Sequence, residues 1–116
     1  MAATIIGLDR LLARLENIAG NEAIMAGIQK GSLRVEASAK ELCTVDTGYL
    51  RESIRHDLHA GSLSGTIGTN VEYAPYVEFG SSGKSPQAFL YPALASNVDK
   101  IKQDILQAIR SEIRRG

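Results

Sequence analysis

Asp46 is the first residue whose setting suggests chemistry, because "VDTG" at residues 45–48 contains the Asp-Thr-Gly triplet used by aspartic proteases. That catalysis needs two aspartates sharing one proton, so a single triplet would serve only across a symmetric dimer. In such enzymes the triplet follows a buried strand. Here it follows a helical pattern and leads into "GYLRESI", where Asp46 or Thr47 caps a short helical turn and Arg51 or Glu52 meets free backbone groups. "GKS" at residues 83–85 ends like a phosphate-binding loop, but that loop requires a glycine where Glu78 stands and a strand leading in. Lys84 then reads as a solvated charge on a loop. His56 and His59 are three positions apart in an extended segment, so they face opposite ways and cannot chelate one metal together. Cys43, the chain's single cysteine, cannot form an internal disulfide, and nothing around "KELCTVD" argues for a catalytic thiol, so it reads as a small buried apolar residue. These residues predict no catalytic, cofactor-binding or metal site.

The rest of the chain must then explain what it positions instead. At 116 residues it is expected to form one domain with a modest core. Thirteen basic side chains balance 13 acidic ones, which argues against a protein that lives on nucleic acid or anionic membrane. No apolar run is long enough for a membrane span, and "MAATIIGLDR" lacks signal-peptide character, so a soluble, reducing compartment is expected.

Leu8, Leu11, Leu12, Leu15 and Ile18 recur at helical spacing and predict a short amphipathic helix ending at Gly20. A second helix is expected from an Asn21 N-cap to about Leu42, with Ala23, Ile24, Ile28, Val35, Ala39 and Leu42 on its apolar stripe. Gly27 and Gly31 would weaken it by roughly 1 kcal/mol each unless close packing requires them. From Ser53 the period changes to two: Ile54, His56, Leu58 and Ala60 share a face, "AGSLSG" supplies a turn, and Leu63, Gly65, Ile67 and Thr69 alternate again, giving an antiparallel hairpin. The C-terminal segment, with Pro92 in its first turn and Leu94, Val98, Ile101, Ile105, Ile109 and Ile113 in a stripe, predicts a helix of about six turns. Its basic end suits the helix dipole, and Asp99, Asp104 and Glu112 interleave the bases. Together these elements predict an α+β fold: a small antiparallel sheet built on a hairpin, packed against a long C-terminal helix and N-terminal helices.

Between hairpin and last helix lies "EYAPYVEFG", where Tyr73, Tyr76 and Phe79 fall within seven residues. Pro75 suits a first helical turn and Gly80 a stop, so one to two turns are expected, with Tyr73, Tyr76, Val77 and Phe79 on an apolar face and Glu78 pointing away. A helix this short holds together only by burying those rings. They serve either as a lid over the sheet or as part of an interface, while "GSSGKSPQ" is read as a flexible arm that orders against a neighbour.

"VDTGYLRESI", then "GTNVEYAPYVEFGSSGKSPQAFLYPAL", then an amphipathic helix resembles the phage tail-completion or head-tail joining family of the lambdoid long-tailed type, also described as neck or minor tail components. The resemblance covers residues 45–115, with residues 1–44 a generic helical start. Its motif positions are Thr47, Gly48, Leu50, Arg51, Ser53 and Ile54, then Gly68, Asn70, Tyr73, Ala74, Pro75, Tyr76, Val77, Glu78, Phe79 and Gly80, then Phe89, Pro92 and Leu94. Family members often carry "PPQPFL" where this chain has "SPQAFL", keeping Pro86 but placing Ala88 at the proline before Phe89. The resemblance implies a non-enzymatic virion protein, assembled in the host cytoplasm into a ring, hexameric in the family, at the head–tail junction. Its implied partners are copies of itself, the tail terminator or tail tube, and head-completion proteins, with genomic DNA passing through and no sequence-specific binding. On that reading Tyr76 and Phe79 anchor the domain and residues 81–88, including Lys84 and Pro86, reach the adjacent subunit. The rival readings are the symmetric aspartic-type hydrolase using Asp46 and a weak DNA-binding module, which the balanced charge disfavours.

Overall fold

The computed structural model describes residues 1–5, 20–43 and 48–115. The helix expected over Leu8–Ile18 and the cap expected from Asp46 or Thr47 lie outside these residues.

The longest elements are two helices, α1 (Asn21–Leu42) and, at the other end of the chain, a 26-residue helix from Leu90 to Arg115. A short helix α2 (Gly48–Ser53) follows α1 and leads into strand β2 (Arg55–His59). A turn of 3₁₀ helix at Ala60–Ser62 reverses the chain into β3 (Ser64–Gly68), with Leu63 at φ 48° completing the reversal. Helix α3 (Ala74–Phe79) comes next, and α4 is the helix of Leu90–Arg115. The fold is α+β, as the periodicity predicts.

One element was not expected. Ala2–Ile5 forms a strand, β1, which pairs antiparallel with β3 so that the sheet runs β1-β3-β2. The hairpin of β2 and β3 is present, but β3 is the central strand rather than one of two edges. A short apolar run such as "AATII" carries no period of its own, and only pairing with β3 makes it a strand. Ser53, expected to open β2, instead ends α2, and Ile54 is the buried hinge between them.

The helices α1 and α4 pack antiparallel, and two glycines set their separation. A Cβ on Gly27 would run into the backbone of Ile105, and one on Gly31 would press on the Ile101 side chain at 3.1–3.2 Å. The propensity lost at these glycines is therefore offset by close helix contact. Gly65 plays the same part for the sheet, since a Cβ there would collide with Ser32 Oγ on α1. Ile24, Ile28, Val35, Leu50, Ile54, Ile67, Phe89, Leu90 and Ile105 form the centre of the core.

On α4 the buried stripe is Leu90, Ala93, Asn97, Ile101, Asp104, Ile105 and Ile109, while Val98 and Ile113 face outward. The stripe is thus turned from the expected one, because two polar residues sit in the α1–α4 seam. Asn97 Nδ2 donates to Ser38 Oγ at 2.9 Å and to Ala93 O at 2.7 Å. Asp104 accepts from Arg34 Nε at 2.6 Å and Nη2 at 3.1 Å, with Lys30 Nζ 3.7 Å away. Pairing with a buried carboxylate raises the Arg34 pKa above its ordinary value, first through the hydrogen bond and then through charge. The α1 N-cap is Gly20 rather than Asn21, and no side chain caps it.

Candidate functional site

Leu50, Arg51 and Ser53 hold the junction of α1, α2 and the sheet. Leu50 is fully buried, Arg51 Nη2 donates to Cys43 O at 2.7 Å, and Ser53 Oγ donates to Leu50 O at 2.6 Å. Ser53 Oγ also lies 2.6 Å from Thr69 Oγ1, which in turn accepts from Val71 N at 3.1 Å. The sequence block "TGYLRESI" therefore ties the end of α1 to the exit of β3, with Gly48 opening α2 and Thr47 outside the described residues. Cys43 is buried at this junction.

The aromatic segment is oriented opposite to the sequence expectation. Ala74 and Glu78 are buried on the inner face of α3, Val77 is half-buried, and the rings of Tyr73, Tyr76 and Phe79 are 40, 64 and 62% exposed. Glu78 does not point away from the protein. Its Oε1 accepts from Phe89 N at 3.0 Å and Leu90 N at 2.9 Å, and its Oε2 accepts from Tyr91 N at 3.1 Å. These are the opening N–H groups of α4, which have no partner within the helix, and a negative carboxylate there also suits the positive helix end. The competition explains the inversion: an unmet set of buried donors outweighs burial of rings on a helix of six residues. So Tyr76 and Phe79 do not anchor the domain, and Phe89, fully buried, does.

Glu78 thus fixes α3 against α4 and leaves an aromatic surface outside. Phe79 contacts Tyr91 with ring centroids 5.9 Å apart, and Tyr91 is itself 45% exposed. Tyr73, Tyr76 and Phe79 are neighbours at helical i, i+3 spacing. Beside them residues 81–88 are all exposed, yet the arm has defined structure. Ser81 N donates to Lys84 O at 3.2 Å and Lys84 N to Ser81 O at 2.9 Å, a tight turn for which Gly83 adopts φ 81°. Gly80, at φ 83°, makes the sharp exit from α3, where a Cβ would press on Lys84 O and Pro86. Gln87 N then donates to Val77 O at 2.8 Å, pinning the return of the chain. Lys84 and Pro86 are displayed on this turn.

A second surface lies on the sheet face turned from α1. Arg55, Asp57, Thr66 and Gly68 line a groove of about 760 Å³ together with Tyr49 and Glu52 of α2. On the other face His56 is half-buried, its Nδ1 3.3 Å from Glu36 Oε1 on α1, as its alternation predicts. His59 instead contacts Thr66 Oγ1 at 3.1 Å. Among the described residues no group of three or more His, Cys, Asp or Glu side chains could hold a metal ion, and no helix is long and apolar enough to cross a membrane.

Residues 9–80 match the model of the HK97-gp10-like family, described as "Bacteriophage HK97-gp10, putative tail-component", over well more than half of the chain. The chain belongs to this family. The family is one of bacteriophage tail components, and a tail component is a structural part of the virion. The match begins far before residue 45, where the sequence resemblance was placed, and includes α1 of this tail-component chain. It ends at Gly80, so Tyr73, Tyr76 and Phe79 fall inside it while the turn and α4 lie beyond. No curated protein and no solved structure matches the chain.

Proposed function

We propose that this tail component is a non-enzymatic structural protein that assembles as a ring, hexameric in the virion, at the head–tail junction, where it completes or joins the tail. The observation that carries the reading is the exposed aromatic face. Four rings, those of Tyr73, Tyr76, Phe79 and Tyr91, stand 40–64% exposed on a surface that Glu78 fixes from beneath. Contiguous exposed rings of this kind characterise contact sites rather than a surface meant for water. A ring is a closing, head-to-tail assembly and needs two different patches on each subunit. The groove and the β2 edge, which pairs with no further strand among the described residues, provide a second surface that shares no residue with the first.

Its partners are other copies of the chain, the tail terminator or tail tube on one side and head-completion proteins on the other. Genomic DNA passes through the ring without sequence-specific contacts, consistent with the balanced charge of the chain. The protein is made and assembled in the host cytoplasm and is carried in the virion. The test is deletion of the gene followed by negative-stain electron microscopy of the lysate. Filled heads and normal-length tails lying apart, rejoined on adding purified protein, are the expected result. Intact joined particles without the protein would overturn the reading.

A further inference from the structure

We infer that adjacent copies join with the aromatic face of one subunit, led by Lys84, against the sheet groove of the next around Asp57. This rests on the ring reading above and names the two surfaces that meet. Charge favours this pairing over the symmetric ones. Between Tyr73 and Tyr91 the ionised side chains are Glu78, which is buried, and Lys84, which is exposed on the turn. Two aromatic faces meeting symmetrically would set Lys84 against Lys84. Two β2 edges pairing antiparallel with all five residues in register would set Asp57 against Asp57. Like charges directly opposed destabilise a strand pair or an interface. The head-to-tail arrangement instead offers Lys84 the carboxylates of Asp57 and Glu52, and offers Arg55 the ring faces of Tyr76 and Phe79.

The exposed area also fits. At about 200 Å² per ring, the exposed fractions of Tyr73, Tyr76, Phe79 and Tyr91 amount to roughly 400 Å². A stable interface takes about 800 Å² from each partner, so the rings alone cover half of one side. The adjacent exposed turn at residues 81–88 is the remaining surface next to them. Because that turn is closed by its own hydrogen bonds, it docks without a large loss of chain freedom. Rings and turn therefore act as one preformed projection, and the groove of about 760 Å³ as its receptor.

The experiment is a charge exchange in the deletion lysate, scored as joined particles by electron microscopy, with wild-type protein as the reference. Lys84→Glu and Asp57→Lys each place like charges at every subunit contact, and each alone is expected to lower joined particles about tenfold or more. An equimolar mixture of the two variants restores joining, because each variant's altered surface now meets its opposite. The double variant Lys84→Glu/Asp57→Lys restores joining by itself. Both positions are exposed, and circular dichroism confirms that each variant is folded. Either single variant joining as well as wild type would overturn the pairing, and so would folded single variants that fail both in the mixture and in the double variant. Wild-type protein failing to join heads and tails is a different result, and it would count against the ring reading itself.

Discussion

Replacing Glu78 with alanine removes the acceptor of three backbone N–H groups at once, those of Phe89, Leu90 and Tyr91 at 3.0, 2.9 and 3.1 Å. Phe89 and Leu90 are fully buried, so water cannot easily replace the lost carboxylate for the first two. An ordinary N-cap contributes about 1 kcal/mol and up to about 2, and a bond to a charged group about 1.5–3. The start of α4 retains some access to solvent through Tyr91 and the exposed turn, which limits the sum. We therefore expect Glu78→Ala to cost ~2–4 kcal/mol, measured by urea denaturation followed by far-UV circular dichroism. For a chain of this length that corresponds to a fall in Tm of roughly 8–16 °C. Glu78→Gln keeps one acceptor oxygen for Phe89 and Leu90 but turns an amide toward Tyr91 N, so it should cost about 1–2 kcal/mol. A Glu78→Ala loss below about 0.5 kcal/mol, the range of an unremarkable surface change, would refute the capping role.

Gly27→Ala gains roughly 1 kcal/mol of helix propensity but drives a methyl into the Ile105 backbone, so net destabilisation of about 1–3 kcal/mol is expected in the same assay. Stabilisation would mean that α1 and α4 are not in close contact there. Arg34→Met removes the hydrogen-bonding partner of buried Asp104, leaving only Lys30 at 3.7 Å, and should lower the denaturation midpoint. The pairing raises the Arg34 pKa, so this stabilisation is fully present below the unfolded value and is lost only as pH rises through the folded one, in the strongly alkaline range. The contribution of Arg34 ionisation should therefore be the same at about pH 6 and about pH 9, and a midpoint difference between wild type and variant that shrinks over that interval would contradict the sign. Tyr76→Ser and Phe79→Ser remove rings that are 64 and 62% exposed, so unfolding free energies should stay within about 0.5 kcal/mol of wild type. A loss of several kcal/mol would return these rings to the core.

Where one face of an element decides its place, the sequence was readable. The apolar stripe of α1 up to Ala39 and the β2–β3 hairpin follow from spacing, although Leu42, expected on that stripe, is exposed at the helix end; the close packing that Gly27 and Gly31 require is met by Ile105 and Ile101. The failures share a cause, which is partnership over long sequence distance. Four residues at the N-terminus become a strand only because β3 is beside them. Glu78 caps a helix that starts 12 residues later, so no local capping box announces it. With that role hidden in the sequence, helical spacing assigns the inner face of α3 to the rings. Asp104 likewise looked like an interleaved surface charge until Arg34, 70 residues away, was placed against it. The site was visible as a cluster of residue types, but its orientation was not.

The most direct test of the account is complementation of the gene-deletion lysate with the Tyr76→Ser/Phe79→Ser double variant beside wild-type protein, counting joined particles by electron microscopy. The double variant should fold as wild type does and leave heads and tails apart. Joining at the wild-type level by that variant would contradict the claim that the exposed aromatic face is where this tail component meets its neighbour.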